Sequence, residues 1–278
     1  MNTSASVNRI AKELLGSPRL GETITRELND YTAALIAQNH GKMELAGTGT
    51  FVSFSGIPFI LTAAHVWVRK LKSADRILIP LRENTRERFS IEPHYVVPFG
   101  PPCPTEWNEW GPDIVLLRLP PENVGGVIAL GRSFFNLSIK KERLIGGVIE
   151  TRFLMGAPWL RGQFTETSAY PEIQGMLVLQ RGGPFQPLCA PSLVGPSFDY
   201  IDLEIDTEQP EVAHHFGGVS GGGLWKVFLY EGPESKIESF RVLVGVAFWQ
   251  EPSDSGLVVR CHGPQSIGVL LHHFLAGS

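Results

Sequence analysis

The sequence predicts a mostly β protein, built as a sandwich or a barrel, with helices at its two ends. Glycine and proline are abundant, at 30 and 21 of 278 residues, which indicates many turns. From about residue 44 the chain reads as short runs rich in Val, Ile, Phe and Thr, each bounded by turn residues. Closely spaced short strands of this kind favour a sandwich or barrel over a parallel sheet with crossover helices.

The first 43 residues differ from the rest and predict two amphipathic helices, separated by the breaker "GSPRLG". Apolar residues at helical spacing define the two helices: Val7, Ile10, Leu14 and Leu15, then Ile24, Leu28, Tyr31 and Leu35. We expect this helical extension to brace the main domain. The alternative is an arm that binds a regulatory partner through its apolar face.

Two groups of β-like runs follow, and a C-terminal helix ends the chain. The first group is "GTGTFVSFS", "PFILTA", "RILIPLR", "FSIEPHYVVPF" and, after a proline-rich loop, "DIVLLRL". The second is "RLIGGVIETRFLMG", "GMLVLQR", "FDYIDLEI", "GGLWKVFL", "FRVLVGVAFW" and "GLVVRC". Apolar residues at helical spacing after Pro264 predict a helix over about 264–276.

Charge and cysteine content exclude several functions. The formal net charge is −4 and no basic run stands out, so we expect no nucleic-acid binding. The three cysteines lack CxxC spacing, which argues against a disulfide framework and a zinc site. His272 and His273 lie about 100° apart on the predicted helix and cannot chelate together, so we expect no metal. No apolar run is long enough for a signal peptide or a membrane span, and we expect a cytoplasmic protein.

Three residues at predicted strand edges carry the chemistry of a nucleophilic site. His65 stands in "LTAAHVW", Asp113 opens the strand "DIVLLRL", and Ser220 lies in "GGVSGGGLW". Each alone has an ordinary interpretation, as a structural histidine, a turn aspartate or a flexible Gly-Ser turn. Together they supply a nucleophile, a base and a carboxylate that orients the base.

The glycine-rich run has two further interpretations, and neither fits its surroundings. A phosphate loop of the form GxxxxGK[ST] requires a lysine that this run lacks. The hydrolase elbow GxSxG matches "GVSGG" formally, but it requires a helix after the serine and an Asp and a His later in the chain. After Ser220 the sequence reads as a strand, "GLWKVFLY".

The segments "TAAH", "DIVLL" and "GxSGGG", in this order, resemble those of the trypsin/chymotrypsin-like serine peptidases, and "LVGVAFW" resembles the strand along their substrate cleft. The resemblance covers residues 44–276 and is closest to bacterial intracellular members. It implies two six-stranded antiparallel β-barrels, over about 44–125 and 126–262. The site would lie between the barrels, and a helix over 264–276 would follow.

The resemblance also implies a serine endopeptidase that needs no cofactor and acts on a protein or peptide. Ser220 would be the nucleophile, His65 the general base and acid, and Asp113 the group that orients His65. The backbone N–H groups of Gly218 and Ser220 would form the oxyanion hole. The alternative is a peptide-binding module on the same fold, either catalytically silent or gated by a partner.

Several residues depart from the family pattern. Val219 stands where zymogen-type members have an aspartate that pairs with a new N-terminus, so we expect no activation by N-terminal clipping. Phe248 replaces a serine that hydrogen-bonds the catalytic aspartate, so Asp113 should rely on the amides near His65. Trp249 matches the cleft tryptophan, whereas Gln250 replaces a glycine at the mouth of the P1 pocket.

The base of the P1 pocket falls, by resemblance, in "AHHF", about six residues before Ser220. His214 or His215 would then meet the P1 side chain and favour an acidic or polar residue. Adjacent residues of a strand face opposite ways, so the other histidine would face solvent.

Overall fold

The computed structural model of the protein describes residues 8–10, 18–80, 88–100, 112–129, 131–138, 149–157, 174–178, 198–205, 217–253 and 256–277. Within these ranges the strands are β1 (Thr32–Asn39), β2 (Lys42–Phe54), β3 (Ile57–Thr62), β4 (Arg76–Pro80), β5 (Arg88–Ile91), β6 (Val97–Phe99), β7 (Val115–Arg118), β8 (Phe135–Asn136), β9 (Ile149–Gly156), β10 (Gln174–Val178), β11 (Tyr200–Ile205), β12 (Gly223–Glu231), β13 (Ile237–Ser253) and β14 (Gly256–His262). The main helices are α1 (Pro18–Asn29), α2 (Pro121–Ala129) and α3 (Pro264–Gly277). Short helical segments span Ala64–Val66, Trp67–Leu71, Pro93–Tyr95 and Pro233–Ser235.

The first sheet contains β1 to β8 in the order β5-β4-β1-β2-β3-β7-β6. Its pairs are antiparallel, except that β8 adds two residues parallel to β2. The turns that join β1 to β2 and β2 to β3 have positive φ at both residues, 40–41 and 55–56, and each ends in glycine. Such turns match the twist of the flanking strands, so they produce tight hairpins.

The second sheet contains β9 to β14 in the order β10-β9-β12-β13-β14-β11, and every pair is antiparallel. The prediction of a mostly β chain with two antiparallel sheets is therefore confirmed. The prediction of two six-stranded barrels is not: the sheets have eight and six strands, and no pairing between described residues closes either sheet. The predicted boundary at residues 125 and 126 falls within α2.

The N-terminal helical prediction is only partly correct. Residues 8–10 are helical and α1 spans Pro18–Asn29, but the chain then turns, and residues 32–39 form β1 between β2 and β4. The Thr32 hydroxyl donates to the Leu28 carbonyl at 3.0 Å and closes the helix end. Strand β1 is almost wholly buried, so it lacks the alternation that distinguishes strands from helices. The predicted boundary at residue 43 thus falls within the β1–β2 hairpin.

One apolar core joins the two sheets and both terminal helices. Buried side chains of the first sheet, such as Phe59, pack in the same cluster as Trp225 of the second. Leu28 of α1 and Phe274 of α3 belong to this cluster as well. The N-terminal helix is therefore packed into the core. Among the described helices, none combines the length and the apolarity that crossing a bilayer requires.

Candidate active site

His65 lies where β3 turns into a short helix. The strand ends at Thr62, Ala63 keeps an extended backbone, and Ala64–Val66 form one helical turn. Both alanines are buried, and their small side chains let the backbone come close to a neighbouring carboxylate. The His65 N–H accordingly donates to Asp113 Oδ1 at 2.8 Å. This bond is the backbone support for Asp113 that we expected where Phe248 offers the carboxylate no hydroxyl.

Asp113 also receives the imidazole of His65. His65 Nδ1 lies 2.6 Å from Asp113 Oδ2, and the two side chains are only 18% and 11% exposed. A carboxylate that is ionised can only accept hydrogen bonds, so it pairs with the neutral tautomer of His65 that has its proton on Nδ1 and its lone pair on Nε2. The backbone bond fixes the carboxylate, and the carboxylate orients the ring and favours the tautomer whose Nε2 can take a proton.

Ser220 lies in a tight loop, residues 217–222, which we call the serine loop. Gly218 and Gly221 have φ values of +95° and +90°, which favour glycine. A Cβ at Gly221 would stand 1.9 Å from the Thr48 carbonyl oxygen, and one at Gly218 would stand 2.5 Å from the Ala157 carbonyl oxygen. Both glycines are therefore required by the close approach of other backbone segments as well as by their own conformation.

Hydrogen bonds connect the serine loop to both sheets. Gly222 N–H donates to the Val219 carbonyl at 2.7 Å and Gly221 N–H to the Ala247 carbonyl of β13 at 2.6 Å. The Ser220 carbonyl accepts the Thr48 N–H of β2 at 2.8 Å. The Val219 side chain is 1% exposed and packs in an apolar cluster of the second sheet.

His65 and Ser220 line one cavity of about 160 Å³, which places the predicted base and nucleophile beside the same space. Its lining is otherwise apolar or neutral: Gly217, Val219, Ala247, Phe248, Trp249, Gln250 and Val259. Trp249 and Gln250, predicted to contact substrate, are therefore cavity residues. Residues His214 and His215 lie outside the described residues.

His262 is a residue of the site that sequence reasoning missed. Its Nε2 accepts the Asp113 N–H at 3.1 Å, and its ring stacks on Phe248 with centroids 4.2 Å apart. Burial lowers the pKa of His262 to about 4, although the charges of Asp113 and Asp199 raise it in part. The imidazole is therefore neutral near pH 7 and carries its proton on Nδ1, which has no hydrogen-bond partner among the described residues. The sequence offered one signal for this residue: His262 directly follows the apolar run "GLVVRC", which predicts a buried position.

The described residues contain no cluster of three or more His, Cys, Asp or Glu side chains that could hold a metal ion. Cys261 is a free, buried thiol whose pKa is raised by burial, which makes it a poor nucleophile. Among the described residues, the cavity is lined by the Ser220 hydroxyl and by the His65 imidazole, which is bonded to the Asp113 carboxylate.

The fold and the site define a mostly β protein in which a serine and a histidine that is hydrogen-bonded to an aspartate line one cavity. No known protein family and no curated protein matches the sequence. Similar solved structures include one described as "Aromatic interactions drive the coupled folding and binding of the intrinsically disordered Sesbania mosaic virus VPg protein", at 13% identity and a TM-score of 0.41, covering 83% of this chain and 85% of that one.

Two further similar structures are described as proteases. The HtrA-type protease AlgW with decapeptide has 12% identity and a TM-score of 0.42, covering 89% of this chain and 65% of that one. The scabies mite inactivated protease paralogue S-I1 has 16% identity and a TM-score of 0.46, covering 92% and 98%. At these identities and TM-scores the likeness concerns the course of the chain alone.

Proposed function

We propose that the protein is a serine endopeptidase of the trypsin-like type, with His65, Asp113 and Ser220 as its catalytic residues. The observation that carries the proposal is the pair of hydrogen bonds from His65 to Asp113, at 2.8 and 2.6 Å, beside a cavity that Ser220 also lines. The contact of Nδ1 with Asp113 leaves Nε2 to act as the base that a hydroxyl nucleophile requires, and the ring that carries it lines the same cavity as Ser220.

The proposed reaction has two halves. Ser220 Oγ forms a bond to the scissile carbonyl carbon while its proton passes to His65 Nε2, and Asp113 stabilises the imidazolium. The C–N bond then breaks, and the same proton goes to the leaving amine. Water repeats the sequence on the acyl-enzyme: its proton passes to Nε2 and returns to Ser220 Oγ as the acyl bond breaks.

In this proposal the N–H groups of Gly218 and Ser220 stabilise the oxyanion. The conformation of the serine loop supports this assignment. Gly218 has a positive φ in a confined position, and only a residue without a Cβ can adopt it there. The buried, apolar setting of Val219 supports a peptidase that does not need a new N-terminal amine. A buried valine cannot form an ion pair with such a group.

Substrate would bind along the cavity wall formed by Trp249 and Gln250. The preference for an acidic or polar P1 residue, through His214 or His215, also stays a proposal. Profiling with a peptide library tests it, and dominant cleavage after Arg or Lys would contradict it.

A fluorophosphonate probe, which phosphonylates activated serines, tests the proposed function without knowledge of the substrate. We expect the purified full chain to be labelled at one site, and Ser220→Ala to abolish labelling. Ser90→Ala in β5, outside the cavity, is the control and should be labelled like the wild type. A folded wild type that is not labelled, with or without a partner, would favour the peptide-binding module. Labelling that appears only after a partner is added would favour a gated enzyme.

A further inference from the structure

Thr48, in the middle of β2, contacts the serine loop at two points. It is fully buried, and its backbone N–H donates to the Ser220 carbonyl at 2.8 Å. Its side-chain Oγ1 donates to the Gly218 carbonyl at 2.6 Å. A single residue of the first sheet therefore holds the carbonyls on both sides of Val219.

The direction of these bonds follows from their partners. The Ala157 N–H donates to Thr48 Oγ1 at 3.0 Å, and a backbone N–H can only donate. The one proton of the hydroxyl is thus directed to Gly218, whose carbonyl can only accept. The Thr48 carbonyl in turn accepts the Thr62 hydroxyl at 2.7 Å, so every polar atom of Thr48 is hydrogen-bonded. This arrangement leaves the threonine little freedom to rotate.

These bonds account for the orientation of three consecutive peptide groups. Thr48 Oγ1 holds the group after Gly218, the Gly222 N–H holds the group after Val219, and Thr48 N–H holds the group after Ser220. The second of these groups joins Val219 to Ser220, and its N–H points away from its carbonyl. Because the Val219 carbonyl is held, the Ser220 N–H is oriented before any ligand binds. Preorganised donors stabilise a developing oxyanion because they need no rearrangement during the reaction.

We propose that Thr48 is a positioning residue, which holds the serine loop in its reactive conformation through its hydroxyl. The inference rests on the proposed peptidase function. In this proposal the serine loop is supported by a neighbouring strand, β2. Thr48 itself does not line the cavity, so its effect passes through the backbone of the serine loop.

Strand β2 offers a matched control two residues away. Thr50 is also fully buried, but its Oγ1 has no hydrogen-bond partner among the described residues. Replacing either threonine by valine keeps the shape and removes a hydroxyl. Only the Thr48 change leaves the Gly218 carbonyl and the Ala157 N–H without their hydrogen-bond partner.

The test compares the rate of fluorophosphonate labelling of Ser220 in four variants of the full chain. We expect Thr48→Val to lower the rate about 100- to 1000-fold, the range seen when one oxyanion donor is lost. Thr48→Ser should stay within about 10-fold of wild type because it keeps the hydroxyl, and Thr50→Val should match wild type. Thr48→Cys, whose thiol is a weak donor, should fall between Ser and Val and serves if Thr48→Val does not fold.

Hydrogen exchange separates a failure of this inference from a failure of the proposed function. The amides of Gly221 and Gly222 should exchange at least 10-fold faster in Thr48→Val than in Thr50→Val, whether or not the protein is a peptidase. Wild-type labelling rates in folded Thr48→Val or Thr48→Cys would overturn the positioning role. A wild type that stays unlabelled with and without a partner, but shows the expected exchange pattern, would overturn the peptidase function and retain the support of the serine loop by Thr48.

Discussion

Replacing Asp113 by Asn should abolish the proposed peptidase activity by forcing the wrong tautomer on His65. The backbone N–H of His65 can only donate, so the amide oxygen of the new side chain must take the place of Oδ1. The NH₂ group then faces Nδ1, in the place of Oδ2 at 2.6 Å. The ring can satisfy this donor only by moving its proton to Nε2, where it blocks transfer from Ser220.

The magnitude follows from the cost of restoring the active tautomer. That tautomer would place two N–H donors against each other, and each unsatisfied buried donor costs about 1–3 kcal/mol. The sum, about 2–6 kcal/mol, corresponds to a loss of roughly 30- to 20,000-fold in kcat. Because the side chains of His65 and Asp113 are only 18% and 11% exposed, we expect a value near the upper end, close to the ~10⁴-fold known for wrong-tautomer triads.

The assay is the rate of fluorophosphonate labelling, together with ¹⁵N NMR of the histidine rings to locate the proton. The control is Asp75→Asn, because Asp75 also accepts a backbone N–H, that of His40, at 2.6 Å but lies away from the cavity. It should leave both readouts unchanged. A folded Asp113→Asn variant that labels within 10-fold of wild type at pH 7 would refute the reasoning, as would a proton that stays on Nδ1.

Three further predictions concern stability. Burial lowers the pKa of His262 to about 4, so the unfolded chain protonates first and the free energy of unfolding falls between pH 6.5 and 4. Urea titrations should show a fall about 3 kcal/mol larger than in His262→Gln, and parallel curves would contradict this. Gly221→Ala should destabilise by at least about 3 kcal/mol, because of its φ of +90° and the backbone oxygen 1.9 Å from the new Cβ. Gly56→Ala, with φ +78° and open space, should cost about 1 kcal/mol, and equal costs for the two glycines would refute the steric argument. Leu28→Ala in α1 should cost about 2–5 kcal/mol, against under 1 kcal/mol for the exposed Leu275→Ala, and a small cost would remove the role of α1 as a brace.

Strands bounded by turn residues and rich in β-branched or aromatic residues could be predicted from the sequence, whereas β1 could not. The runs that became β2, β3, β4 and β12 have local signals, namely β-branched or aromatic residues between turns. Strand β1 is apolar on both faces, so its sequence "TAALIA" fits a buried helix equally well. Its pairing with β2 in a hairpin and with β4 decides in favour of the strand, and the β4 partners lie about 40 residues further along the chain.

The residues of the candidate site also include some that the sequence predicts and some that it does not. His65, Asp113 and Ser220 were predicted because their side chains carry the chemistry and their chain order is informative. Thr48 and His262 were not predicted because their contribution depends on what they touch. Thr48 meets Gly218 across 170 residues of sequence, and His262 meets Asp113 across 149.

The amino-acid sequence is enough to predict a strand-rich chain and the three side chains that could form a nucleophilic site. The tertiary structure decided which donors meet which acceptors: that β2 supplies a hydroxyl to the Gly218 carbonyl, and that β14 supplies an imidazole to the Asp113 N–H. The physical reason is that residue type sets only the capacity to donate or accept a hydrogen bond. Whether a bond forms depends on the positions and angles of backbone segments that the folded sheets bring together.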